Sequence, residues 1–86
     1  MPIKDLTHMK SGESGTVTDL RGGHGMLNRL DAQGIRRGVT LTKVSAQFMR
    51  GPVIVRVGST QVAIGFGMAR HVLVHIKSTG AHGTGE

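Results

Sequence analysis

The sequence contains five histidines, which could bind a metal ion because a neutral imidazole is a good ligand for divalent transition metals. They are His8, His24, His71, His75 and His82. His71 and His75 would share a face, and could chelate a metal, if their segment were helical. The residues between them, Val72-Leu73-Val74, are typical of a strand, which separates the two imidazoles by about 13 Å at 3.3 Å per residue. We therefore predict exposed histidines, with no metal site and no cofactor.

The glycine-rich segment Gly22-Gly23-His24-Gly25 precedes a predicted helix, where free backbone N–H groups and the helix dipole can hold an anion. It lacks the spaced lysine of a nucleotide-binding P-loop. Asn28 stands where a dinucleotide-binding fingerprint requires its last glycine. We interpret the segment as a sharp strand-to-helix connection.

Catalytic groups are few. The carboxylates outside the C-terminal tail are Asp5, Glu13, Asp19 and Asp31, and their spacing gives no sign of a catalytic pair. The sequence contains no cysteine nucleophile and no Gly-x-Ser-x-Gly elbow. These observations predict a protein that is not an enzyme, with no catalytic residues.

Eleven Lys and Arg residues against five Asp and Glu residues leave a formal charge of +6. Such a surface attracts acidic proteins, anionic lipids or nucleic acid. Phe48 and Phe66 are the only aromatic residues, so the stacking platform on which small barrels bind single strands is missing, and we predict no specific nucleic-acid partner. No apolar run has the length of a signal peptide or a membrane span. The absence of cysteine fits a reducing compartment, and any membrane association must come through a partner or through surface charge.

The elements that must position these groups are mostly strands. Residues 13–20 form a first predicted strand with Val17 facing inward. Residues 26–33 have helical spacing and stop at Gly34, after which Ile35 can pack back on the helix. Residues 39–46 form a second strand.

The strongest strand pattern spans residues 52–65, where alternating valines predict a hairpin that turns at Gly58-Ser59. Residues 72–77 alternate in the same way after a single helical turn at 67–71. Ile3, Leu6 and Met9 predict a helical or 3₁₀ turn across a barrel end.

The predicted fold is therefore mostly β: a small SH3-like five-stranded barrel with one or two short helices, spanning residues 1–77. Residues 78–86 hold three glycines and no large apolar side chain, which predicts a disordered tail. Phe48 and Met49 are predicted to lie in an exposed loop.

The order and spacing of several short motifs resemble the ferrous-iron transport protein A (FeoA) family over residues 3–77. The motifs are Gly12-Glu13-x-Gly15-x-Val17, Arg29-Leu30-x-x-x-Gly34-Ile35-x-x-Gly38, Gly51-Pro52-Val53, Val62-Ala63-Ile64-Gly65 and Met68-Ala69. Arg37 departs from the proline that family members often carry there. The resemblance implies an SH3-like barrel, and a cytoplasmic accessory protein that binds the membrane ferrous-iron permease, a large GTPase.

Leu27, Arg29, Arg36 and Arg37 are the residues that we expect to contact this partner at the inner membrane. One alternative is a metal-responsive regulatory module in which His24 and His71 are ligands. Another is a basic barrel that binds nucleic-acid phosphates without sequence preference. Pairing of barrel edges into a homo-oligomer also stays open.

Overall fold

The computed structural model describes residues 2–45 and 51–78, and its elements follow the predicted order. The strands are β1 (Ile3–Asp5), β2 (Ser14–Leu20), β3 (Thr40–Ser45), β4 (Val53–Val57), β5 (Thr60–Ile64) and β6 (Val72–Ser78). The α-helices are α1 (His24–Ala32) and α2 (Phe66–Ala69), and a 3₁₀ turn spans Leu6–His8.

The six strands form one antiparallel sheet in the order β1-β6-β2-β3-β4-β5, which curls into an SH3-like fold. The five longer strands match the five that were predicted. The sixth, β1, is only three residues long and pairs with β6, so that Ile3 lies opposite His75. So short a segment carries too little alternation to be recognised as a strand, although the 3₁₀ turn that follows it was predicted.

Strand alternation places the core as the sequence predicts. Val53 and Val55 of β4, like Val72 and Val74 of β6, are buried, while their neighbours are partly or fully exposed. The predicted inward residue Val17 is also buried. Gly58 has a φ of +63°, as the first central position of the predicted hairpin turn requires.

Helix α1 ends in the glycine cap that the sequence predicts. Gly34 has a φ of +87°, a backbone conformation that favours glycine. Its amide donates to the Asp31 carbonyl (2.9 Å), and the Ile35 amide donates to the Leu30 carbonyl (2.8 Å). This pair of bonds defines a Schellman motif, and Leu30 and Ile35 both enter the core.

A buried lysine fastens the N-terminal segment to the sheet. Lys43 follows Leu41 at a spacing of two on β3, so both side chains face the core. The Lys43 ammonium donates to the carbonyl oxygens of Leu6 (2.9 Å) and Met9 (2.6 Å). Burial lowers the pKa of Lys43, although the nearby carboxylates of Asp5 and Glu13 work in the opposite direction.

Two predictions concern residues that the structure does not describe. Phe48 and Met49, predicted as loop residues, and residues 79–86 of the predicted tail lie outside the described ranges. Ser78, which the prediction placed in the disordered tail, is instead the last residue of β6. Within those ranges, none of the helices has the length and apolar character needed to cross a membrane.

Candidate partner-binding groove

A groove of about 440 Å³ lies between helix α1, the end of β2 and the turn that follows the helix. Its lining residues are Leu20, Leu27, Asn28, Asp31, Ile35, Arg36 and Arg37. Ile35 is fully buried, Leu20 and Leu27 are partly buried, and the two arginines are exposed. The groove therefore combines an apolar floor with a cationic rim. We refer to these seven residues as the α1 groove.

The turn that carries Arg36 and Arg37 is held at both ends. On one side the Schellman motif fixes Ile35 against Leu30. On the other, the Gly38 amide donates to the Val17 carbonyl (2.8 Å), which attaches the turn to β2. The backbone of the rim is thus set by hydrogen bonds to two separate elements, so little ordering is needed when a ligand binds.

Ion pairs orient both rim arginines. Arg36 Nε donates to Asp31 Oδ1 at 2.6 Å, and Arg37 Nη2 donates to Asp19 Oδ1 at 3.2 Å. Asp19 also accepts from Arg21 Nε at 3.4 Å, so one carboxylate serves two guanidinium groups. A bond from the Leu20 amide, together with these arginines, lowers the pKa of Asp19. The cluster of three arginines and two aspartates therefore keeps one net positive charge.

Three of the four residues that the sequence nominated come together here. Leu27, Arg36 and Arg37 all line the groove, and Arg29 does not. At 100° per residue, Arg29 is rotated 200° from Leu27 around α1, whereas Asp31 lies within about 40° of it. Arg29 is exposed on the other side of the helix.

Sequence reasoning missed the other half of the groove. Leu20 arrives from the end of β2, and Asp31 was considered only as a catalytic carboxylate. The spacing of Leu27 and Asp31, four residues apart on a predicted helix, was the available signal that they share a face. The pairing of Asp19 with Arg37 is long-range in the chain and left no local signal.

The histidines do not assemble into a metal centre in the part of the chain that the structure describes. There, no three His, Cys, Asp or Glu side chains lie close enough together to hold a metal ion. His8 bonds instead to Asp5, with Nδ1 2.9 Å from Oδ2. His75 lies in β6 and His71 directly precedes that strand, which keeps the two apart as predicted. Both are partly buried and not exposed as predicted, whereas His8 and His24 are exposed.

The strands and helices define a small, mostly β, SH3-like domain. The FeoA domain family matches residues 4–76, and the chain belongs to that family, which is associated with ferrous-iron uptake. Comparison with curated proteins finds no match.

Solved structures agree with this assignment. The chain is similar to the crystal structure of an iron uptake regulatory protein, FeoA, with 32% identity, a TM-score of 0.83, and coverage of 88% of this chain and all of that one. The FeoA protein from Chlorobium tepidum is 25% identical with a TM-score of 0.74, and the match covers 92% of this chain and 74% of that one.

A manganese-dependent transcriptional repressor shares the fold. Its TM-score is 0.82 at 23% identity, and the match covers 88% of this chain but 42% of the repressor. At that identity the likeness establishes only the fold.

Proposed function

We propose that this protein is a non-enzymatic, cytoplasmic accessory protein of ferrous-iron uptake, which binds the cytoplasmic part of the membrane ferrous-iron permease and modulates its activity. Membership of the FeoA family supports the pathway. The observation that carries the binding role is the α1 groove, in which exposed arginines surround an apolar floor. Interfaces commonly depend on such a combination of arginine and apolar anchors.

The test is a calorimetric titration of the protein against the detergent-solubilised permease, with and without guanine nucleotide and at two salt concentrations. We expect saturable binding that weakens at high salt, because the surface is basic. Leu27→Ala and the double variant Arg36→Gln/Arg37→Gln should each weaken it about tenfold, the usual effect of truncating an interface anchor.

Arg56→Gln is the matched control, since Arg56 is exposed on β4 and does not line the groove. Arg29→Gln reports whether docking extends around the far side of α1, as the sequence predicted. Absence of binding in every nucleotide state would overturn the proposed function. If Arg56→Gln lost as much affinity for the permease as the groove variants, the permease would bind at a surface other than the α1 groove.

A further inference from the structure

We propose that the α1 groove recognises a short segment in which one large apolar side chain is flanked by carboxylates. This inference rests on the proposed function and specifies the chemistry of the partner segment. The occupant of the α1 groove is therefore a segment of a protein, and not a nucleic acid or a metal ion. The apolar floor and the cationic rim argue for the two halves of this motif independently.

The apolar floor of the groove is the reason for expecting a large apolar side chain in the partner segment. Leu20 and Leu27 are partly buried and present aliphatic surface in the groove, whereas Ile35 lines the groove but is fully buried. Leu27 lies on a helix whose core residue is Leu30. Covering that surface removes apolar area from water, which favours binding. The groove volume of about 440 Å³ lies within the range of clefts that accept a compact ligand.

The two arginines at the rim of the groove are the reason for expecting carboxylates in the partner segment. The side chains of Arg36 and Arg37 are 63% and 70% exposed, yet each is oriented by one aspartate. Exposed ion pairs of this kind are weak, so an incoming carboxylate can share or replace Asp31 and Asp19 at little cost. A guanidinium fork suits a carboxylate because it can donate two parallel hydrogen bonds.

Nucleic acid fits this groove less well. None of the seven lining residues is aromatic, so a base has no ring on which to stack. Asp31 lies in the lining itself, where it would repel a continuous row of phosphates. A segment with separate carboxylates can place them at the arginines and keep its apolar side chain over the floor.

The experiment is an NMR titration of the full ¹⁵N-labelled chain with three capped peptides. The first, Ser-Asp-Leu-Glu-Ser, carries both halves of the motif. Ser-Asn-Leu-Gln-Ser removes only the charge, and Ser-Asp-Ala-Glu-Ser removes only the large side chain. We expect saturable shifts at the amides of Leu27, Asp31 and Arg37 with the first peptide, and at least tenfold weaker binding of the other two.

Two double variants complete the design. Arg36→Gln/Arg37→Gln should weaken the first peptide at least tenfold. Arg56→Gln/Arg70→Gln removes the same charge from exposed sites outside the groove and should leave affinity within about twofold, because distant exposed charges are screened.

Several outcomes would overturn the inference: equal binding of the charge-free peptide, equal shifts with inorganic phosphate or a single-stranded oligonucleotide, or no groove shifts at millimolar peptide. Retention of the permease by a protein that binds none of the peptides would reject this motif and leave the proposed function standing. If the protein bound the first peptide but not the permease, the proposed function would be rejected. The peptide result would still show which kind of segment the α1 groove recognises.

Discussion

Glu13 is a buried carboxylate whose charge contributes to stability. Its side chain accepts hydrogen bonds from Lys4 Nζ (3.2 Å) and from the Lys10 amide (2.7 Å). Burial acts to raise the pKa of Glu13, but those bonds and the Lys4 charge outweigh it, so the pKa lies below its ordinary value of 4.5. A carboxyl group of this kind favours folding only in its ionised form.

In Glu13→Gln, the free energy of unfolding should therefore fall less steeply as the pH is lowered into the acid range. Because the folded pKa lies below the unfolded one, the unfolded chain binds more protons in that interval. The stabilisation is complete above about pH 4.5 and is lost as the pH falls through the folded pKa. Urea unfolding followed by far-UV circular dichroism from pH 7 to pH 2 measures the slope.

The slope should shrink in Glu13→Gln without vanishing. Asp5 also has a lowered pKa, since hydrogen bonds from Thr7 and His8 outweigh its burial. Asp31→Asn is the control because Asp31 is exposed. Parallel curves for wild type and Glu13→Gln would show that the Glu13 charge does not contribute.

Lys43→Met tests the other buried charge. Methionine has a similar length but donates no hydrogen bond, so the carbonyls of Leu6 and Met9 lose the ammonium that bridges them. We expect a loss of about 2–4 kcal/mol in the free energy of unfolding, the usual result of breaking a buried charged interaction. Lys77→Met, at an exposed position of β6, should change stability by less than about 0.5 kcal/mol in the same urea titration.

At the scale of elements, the pairing of β2 with β6 depends on a missing side chain. A Cβ atom on Gly15 would lie 2.4 Å from the His75 carbonyl oxygen and 2.5 Å from Val74 Cγ1. The His75 carbonyl oxygen is a backbone atom, which cannot move away without separating the two strands. The Gly12-Glu13-x-Gly15 motif thus has a physical basis in the close approach of two strands.

Gly15→Ala should destabilise the fold by about 3 kcal/mol, at the upper end of the cost of overpacking. Gly67→Ala is the matched control, because a Cβ there meets nothing within 4 Å and the site lies in α2. It should be neutral or more stable by up to about 1 kcal/mol. Thermal unfolding by circular dichroism compares the two, and a neutral Gly15→Ala would contradict the close approach.

For the whole molecule, the N-terminal segment is part of the core and the C-terminal tail is predicted to be separable. Leu6 and Met9 are buried, and β1 pairs with β6. Deleting residues 1–9 removes these contacts and the partners of Lys43, so we expect an unfolded chain with no dispersed NMR spectrum.

Deleting residues 79–86 should leave the melting temperature within about 3 °C, the shift that corresponds to about 0.5 kcal/mol in a domain of this size. This deletion keeps all of β6, which ends at Ser78. A larger fall would show that the tail packs on the domain, contrary to the prediction from its composition.

The sequence alone determined the five longer strands, the helix between the first two of them and the glycine cap at Gly34. Each depends on alternation, helical spacing or glycine placement over a few neighbouring residues. It also identified Leu27, Arg36 and Arg37 as candidate contacts, because the helix and its turn are local.

Only the tertiary structure decided which residues meet across the chain. The pairing of Arg37 with Asp19, the arrival of Leu20 at the groove and the capture of the Lys43 ammonium by Leu6 and Met9 all join distant segments. Helical periodicity already separates Arg29 from Leu27 by 200°, but which of the two faces the groove depends on how α1 packs against the sheet. Such contacts follow from strand order and packing, which local periodicity does not encode.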